Sequence, residues 1–102
     1  MKILAVTACP SGVAHTYMAA EALKNACAVG QIECKVETQG SIGVENAITA
    51  EDLAGATAVV LTNDMPIKDV ERFADLPKIK LPAATVIKSA PAIVAKVKSE
   101  LG

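Results

Sequence analysis

The chain has three cysteines, at positions 9, 27 and 34, and one histidine, His15, and only Cys9 stands among residues suited to using a thiol. It opens the run Cys9-Pro10-Ser11-Gly12-Val13-Ala14-His15-Thr16, where the apolar stretch Ile3 to Ala8 stops and a helical pattern starts. A strand that feeds a short loop and then a helix leaves several backbone N–H groups without internal partners, all directed at whatever the loop encloses. An anion belongs there. A thiolate and a phosphoryl group carried on its sulfur are both anions, and the amides and helix dipole that hold phosphate also lower a thiol pKa. Pro10 fixes its own φ and offers no N–H, Gly12 lets the backbone approach a ligand, and Ser11 and Thr16 add hydroxyl donors. The pattern points to phosphorus chemistry on sulfur.

The other two thiols read as core. Thr16, Ala20, Leu23 and Cys27 follow the spacing of a buried helix face. Ile32, Cys34 and Val36 alternate with Glu33, Lys35 and Glu37, which assigns Cys34 to the buried face of a strand and the charged residues to the other. Three cysteines make no disulfide framework, there is no Cys-x-x-Cys pair, and the paired short spacings of a zinc site are missing. Reduced thiols, no metal and no cofactor are expected. His15 has two readings that stay open: it orders the loop by bonding within the first helical turn, or its imidazole supports the thiolate or its phosphoryl group directly.

Strand and helix signals alternate along the chain that must position this loop. Ile3 to Ala8 reads as a strand, His15 or Thr16 to about Val29 as a helix with Gly30 at its C-cap, and Ile32 to Thr38 as a second strand. A glycine-bearing loop through Gly40, Ser41 and Gly43 follows. Thr49 ahead of Glu51 and Asp52 marks a short helix ending near Gly55. Ala58 to Leu61 is a third strand. Ile67 to Phe73 reads as a helix with Lys68 and Arg72 on its solvent face, and Lys78 to Leu81 as a fourth strand between Pro77 and Pro82. Ala83 to Ile87 is a turn or short helix. A last helix starts after Ser89, with Pro91 in its first turn, Ile93, Val94 and Val97 inward, and Lys96 and Lys98 outward.

Composition narrows the function classes. A length of 102 residues fits one domain, taken here as residues 1–102, with enough apolar surface for its own core. Apolar residues make up 52% of the chain, nineteen residues are alanine, and Tyr17 and Phe73 are the aromatics, so the core should be aliphatic with helices close to a sheet. A formal net charge of -1 with mixed signs argues against a nucleic-acid footprint. No apolar run approaches the roughly 20 residues of a membrane span, and Lys2 leads directly into a strand rather than a signal peptide. A soluble, cytoplasmic protein without direct membrane insertion is expected.

Strands one and three are apolar on both faces and should be central. Strand two alternates, and strand four is proline-bounded and lysine-bearing, as edges are. Right-handed crossovers then predict an α/β fold: a three-layer open sheet of four parallel strands, order 2-1-3-4, with helices on both faces. Winding reverses between strands one and three, so the crevice at their carboxyl ends is the expected ligand site. Cys9 falls there, bordered by Asp64 after strand three and by Gln39, Gly40 and Ser41 after strand two.

Residues 8 to 23, Ala-Cys-Pro-Ser-Gly-Val-Ala-His-Thr-Tyr-Met-Ala-Ala-Glu-Ala-Leu, closely resemble the active-site signature of the fructose-specific enzyme IIB family of the bacterial sugar phosphotransferase system. The resemblance continues at Val36-Glu37-Thr38-Gln39-Gly40-Ser41-Ile42-Gly43, at Leu53-Ala54 and at Glu71-Arg72-Phe73, in order along the chain. It implies a phosphoryl carrier: Cys9 as the phosphocysteine, a phosphohistidine of enzyme IIA as donor, and fructose or a related sugar entering through the membrane component IIC as acceptor. That family more often has Thr and Ile where this chain has Ser11 and Val13, which keeps the hydroxyl. It usually has small residues before the aspartate after strand three, where this chain has Thr62 and Asn63.

The competing reading is a small cysteine-dependent phosphatase or arsenate reductase, whose loop has the same Cys-x5 frame but closes on an arginine. Here His15 takes the cation's place and the one arginine, Arg72, is far along the chain, so bidentate clamping from within the loop is missing. A third reading is a regulatory domain of the same fold in which Cys9 is dispensable.

Overall fold

The computed structural model describes residues 2–8, 13–40 and 43–101. Strand β1, Lys2–Thr7, is buried along almost its whole length and leads to helix α1, Val13–Val29. Strand β2 is Glu33–Gly40, β3 is Gly43–Glu45, helix α2 is Ala50–Ala54 and β4 is Ala58–Thr62. A single 3-10 turn, Val70–Phe73, precedes β5, Lys78–Leu81, and the chain closes with helix α3, Ala83–Leu101.

The sheet has five strands in the order β3-β2-β1-β4-β5 and is mixed, which corrects the expected sheet of four parallel strands. The four parallel strands follow the expected sequence, but β3 adds antiparallel to the outside of β2, pairing Thr38 with Glu45 and Gly40 with Gly43. Three exposed residues carry no alternation, so this strand has no period by which to be read. Its presence changes the status of β2, which is not an edge strand. Glu37, assigned to a solvent face by alternation, is 1% exposed.

The two faces are covered unequally. α1 and α3 lie together over one face, where Ala19, Ala20, Leu23 and Cys27 meet Ile3, Val36, Val60, Val86 and Val94. Small side chains let these helices approach the sheet and each other closely, which accounts for the alanine content. The opposite face has only α2, the 3-10 turn and the loops between them, with Leu4, Val6, Ile48, Val59, Leu61 and Phe73 as its core. The expected helix from Ile67 is reduced to that turn, because Asp69 takes a left-handed conformation, φ 57°, that a continuing helix does not admit.

Local signals set the helix ends. α1 closes with Gly30 as cap and Gln31 in the left-handed region at φ 57°. Ile32 N–H bonds to the Cys27 carbonyl at 2.8 Å and Gln31 N–H to Ala28 at 3.1 Å, a Schellman closure. Thr49 caps α2 reciprocally: its hydroxyl accepts from Asp52 N–H at 3.3 Å, and the Asp52 carboxylate accepts from Thr49 N–H at 2.9 Å. α3 is two helices joined at Ser89, whose φ of -122° breaks the helical path two residues before Pro91. Among the described residues no helix is long and apolar enough to cross a membrane.

Candidate functional site

Cys9, Pro10, Ser11 and Gly12 of the proposed phosphoryl loop, and Ser41 of its rim, lie outside the described residues. The geometry on either side of the loop is described. β1 pairs in parallel with β2 through Thr7 and Thr38 and with β4 through Val6 and Leu61, so the chain leaves the sheet at its carboxyl edge between two parallel neighbours. Helix α1 begins at Val13. The first turn of a helix, here Val13 to Thr16, has N–H groups without helical acceptors.

Side-chain bonds fix both ends of the loop. Thr62 at the end of β4 holds the last described residue before Cys9: Ala8 N–H donates to Thr62 Oγ1 at 2.9 Å, and the Thr62 hydroxyl donates to the Ala8 carbonyl at 3.0 Å. On the other side, the Thr7 hydroxyl donates to the Thr16 carbonyl at 3.1 Å and ties the strand to the first turn of α1. These bonds are buried, and Thr7, Thr16 and Thr62 are each no more than 2% exposed. Thr16 Oγ1 itself is buried with no hydrogen-bond partner among the described residues, which leaves a polar group of the expected loop unspent. Ala14 and His15 are exposed on the first turn.

The rim residues have other employments. Gln39 is buried, and its amide pairs with the backbone of Lys68 and with Glu37. Asp64 accepts the N–H of Ala83 at 2.6 Å and so caps the start of α3. Gly40 closes β2 against Gly43 at the turn into β3. Tyr17, one turn into α1, donates to the Glu45 carboxylate of β3, joining the helix after the loop to the hairpin on the far side of the crevice. That bond to a carboxylate raises the Tyr17 pKa above its ordinary value.

Arg72 corrects the expectation of a solvated side chain. Its guanidinium donates to Glu37 Oε2 at 2.6 Å and reaches the Ile48 carbonyl at 3.4 Å, while it lies 4.7 Å over the Phe73 ring. Burial alone would push the Glu37 pKa up. Hydrogen bonds from Arg72, Gln39 and the Ile48 N–H outweigh it and hold the carboxyl below its ordinary value. Cys27 is buried and Cys34 half-buried. The neighbouring Cys27 thiol and burial push the Cys34 pKa strongly up, so this thiol stays protonated and unreactive at neutral pH.

No motif or spacing in the sequence marks Thr7, Tyr17, Glu45 or Glu37 as site residues, and Thr62 stands out only as a departure from the family pattern. A threonine ending a strand that is otherwise apolar was the available signal for Thr62. The Glu37 and Arg72 pairing spans 35 positions and had none.

Comparison with known proteins defines the class. The family model of the lactose/cellobiose-specific IIB subunit of the phosphotransferase system matches residues 4–96. The fructose-like EIIB component 2 of Escherichia coli K12 is 56% identical over 100 residues, covering 98% of this chain and 94% of that protein. The 2-O-alpha-mannosyl-D-glycerate-specific EIIABC component of the same organism is 44% identical over 92 residues, 90% of this chain but 14% of that longer protein. Among solved structures, a domain of the fructose-specific IIABC component of Borrelia burgdorferi superimposes with a TM-score of 0.89 at 42% identity, covering 96% of this chain and 93% of that one. The chain belongs to the IIB family of the sugar phosphotransferase system. It is a phosphotransferase, a phosphoryl carrier of that system, and the phosphatase alternative is not favoured.

Proposed function

We propose that Cys9 is the residue that carries the phosphoryl group, accepting it from a phosphohistidine of enzyme IIA and passing it to fructose or a related sugar brought by the membrane component IIC. The observation that carries this reading is the pair of Thr62 bonds to Ala8: the residue before Cys9 is fixed by both its N–H and its carbonyl at the carboxyl edge of the central strands. A nucleophile one residue beyond such an anchor is held near a set position, which is most of what phosphoryl transfer asks of a protein.

The thiolate attacks the phosphorus of the donor's phosphohistidine. The S–P bond forms as the P–N bond breaks, and the leaving imidazole takes up a proton. In the second step a sugar hydroxyl attacks the same phosphorus and gives up its proton to solvent or a base at the acceptor site, the P–O bond forms as the S–P bond breaks, and sulfur leaves as the thiolate. The loop from Pro10 to Thr16 supplies amide and hydroxyl donors to the phosphoryl oxygens in both steps. Sulfur suits the relay because the thiolate is both a ready nucleophile and a ready leaving group.

The commitment of Arg72 to Glu37 and Ile48 supports carrying over hydrolysis, since the chain's single arginine is engaged with groups of its own fold. Donor and acceptor are both protein-borne, so the docking contacts should be small and transient, about 1,200 Å² in total or less. The reading sets the domain, residues 1–102, in the cytoplasm beside IIA and the inner face of IIC. The test is the fate of a labelled phosphoryl group in the presence of membranes holding IIC and fructose. Label appearing in sugar phosphate supports the carrier, and label released as inorganic phosphate with the sugar unmodified contradicts it.

A further inference from the structure

The side chain of Gln39 pairs with both backbone polar groups of one residue, Lys68. Lys68 N–H donates to Gln39 Oε1 at 2.8 Å, and Gln39 Nε2 donates to the Lys68 carbonyl at 3.2 Å. This copies the two-bond exchange of an antiparallel strand pair with a side chain in place of a strand. The same Nε2 donates to Glu37 Oε2 at 2.7 Å, where Arg72 also donates, and the other Glu37 oxygen takes the Ile48 N–H at 2.9 Å. One buried network thus ties β2 to residue 48 and to the segment 68–72.

The start of the segment is anchored by Asn63 N–H to the Leu81 carbonyl at 3.0 Å and by Asp64 to Ala83 N–H at 2.6 Å, and Gln39 holds its end at Lys68. Lys68 precedes Asp69, a non-glycine residue at φ 57° and ψ 35°, a conformation that persists only where the surroundings enforce it. Residues 63–66 are exposed, and they follow directly on Thr62, which is bonded to the residue before Cys9. Residues 63–66 thus lie beyond the same end of β4 at which Thr62 holds Ala8.

We propose that Gln39, with Glu37 and Arg72 behind it, is a positioning residue for the phosphodonor: it fixes Lys68, and with it the far end of the segment 63–68, in the shape that phosphorylated IIA docks against. The inference rests on the reading of Cys9 as the acceptor. It predicts a kinetic split. Loss of the grip weakens donor docking and leaves the transfer within the docked complex nearly unchanged.

The experiment measures the initial rate of Cys9 phosphorylation against the concentration of phosphorylated IIA, for the wild type and Gln39→Ala, with amide hydrogen exchange on the same proteins. The donor KM should rise about tenfold with the saturating rate within about twofold, as expected when binding and not the transition state is affected. The Lys68 amide should exchange at least about tenfold faster while the Val60 amide of the central strand is unchanged. If Val60 exchange also accelerates, the variant has lost global stability and the milder Arg72→Lys is read by the same criteria. An unchanged KM despite faster Lys68 exchange, or a reduced saturating rate at unchanged KM, overturns the proposal. Absence of labelling in the wild type would instead strike at the Cys9 reading, so the two failures are distinguishable.

Discussion

Replacing Arg72 by Met removes the guanidinium and keeps an unbranched stem of similar reach. Glu37 is 1% exposed and Arg72 22%, with 2.6 Å between the charged atoms, so the variant leaves a carboxylate in a site that water hardly reaches. Breaking a buried pair by removing one partner costs about 3–5 kcal/mol. Bonds from Gln39 and Ile48 survive, and the arginine end of the pair is partly open to solvent, which puts the loss at the low end, about 3 kcal/mol. For a chain of this length that corresponds to a fall in Tm of roughly 12–24 °C. The pH dependence adds a sign. In the wild type the folded Glu37 pKa lies below its unfolded value, so its stabilisation is present above about pH 4.3 and is lost as pH falls through the folded value. Without Arg72, burial raises the folded pKa above the unfolded one, and protonation relieves the penalty as pH falls. The gap between wild type and variant should therefore be widest near pH 7 and narrow towards pH 4.5. Adding Glu37→Gln to Arg72→Met should recover about 1 kcal/mol or more by removing the stranded charge. Urea denaturation at the two pH values measures all of this. A loss below about 1 kcal/mol at pH 7, or an equal loss at both pH values, would refute the reasoning.

Thr62→Val removes the hydroxyl that serves both the N–H and the carbonyl of Ala8 and should cost about 1–3 kcal/mol, while Thr62→Ser retains most of it. Phosphorylation of Cys9 should slow in the valine variant even at temperatures where it is fully folded, which a labelling time course checks. Tyr17 is the chain's only tyrosine, so its ionisation can be followed by ultraviolet absorbance without interference. It should ionise at higher pH than a free phenol, and Glu45→Gln should bring it back towards its ordinary value. Identical titrations of the two proteins would show that the α1 to β3 bond is not formed in solution.

The site-bearing part of the fold was legible because it is local. The apolar run to Ala8, the breakers Pro10 and Gly12 and the helical spacing from Thr16 to Cys27 lie within one stretch of chain, and the burial of Thr16, Ala20, Leu23 and Cys27 follows that spacing. The central strands were legible because both their faces are buried, which leaves a continuous apolar signature. What escaped was non-local. β3 is three exposed residues whose only reason to be a strand is the neighbour it pairs with. Glu37 alternates as a surface residue should, and is buried because an arginine 35 positions away supplies its counter-charge. Lys68 and Arg72 carry helical spacing, but Asp69 between them is left-handed and the Lys68 N–H bonds to Gln39 instead of to a helical carbonyl. In each case tertiary pairing overrode a pattern that was sound on local grounds.

The central claim is that one thiol carries the group, and locating the phosphoryl group within one peptide tests it. The protein is incubated with phosphorylated IIA and digested with trypsin at a pH that spares phosphocysteine, and the label is located by fragmentation within peptide 3–24, which holds both Cys9 and His15, and within peptide 25–35, which holds Cys27 and Cys34. The account predicts a single added phosphoryl group on Cys9, persisting until acceptor sugar and IIC are supplied, and no label on any peptide of Cys9→Ser. A phosphoryl group found on His15 or another residue, or labelling that survives in Cys9→Ser, would contradict it.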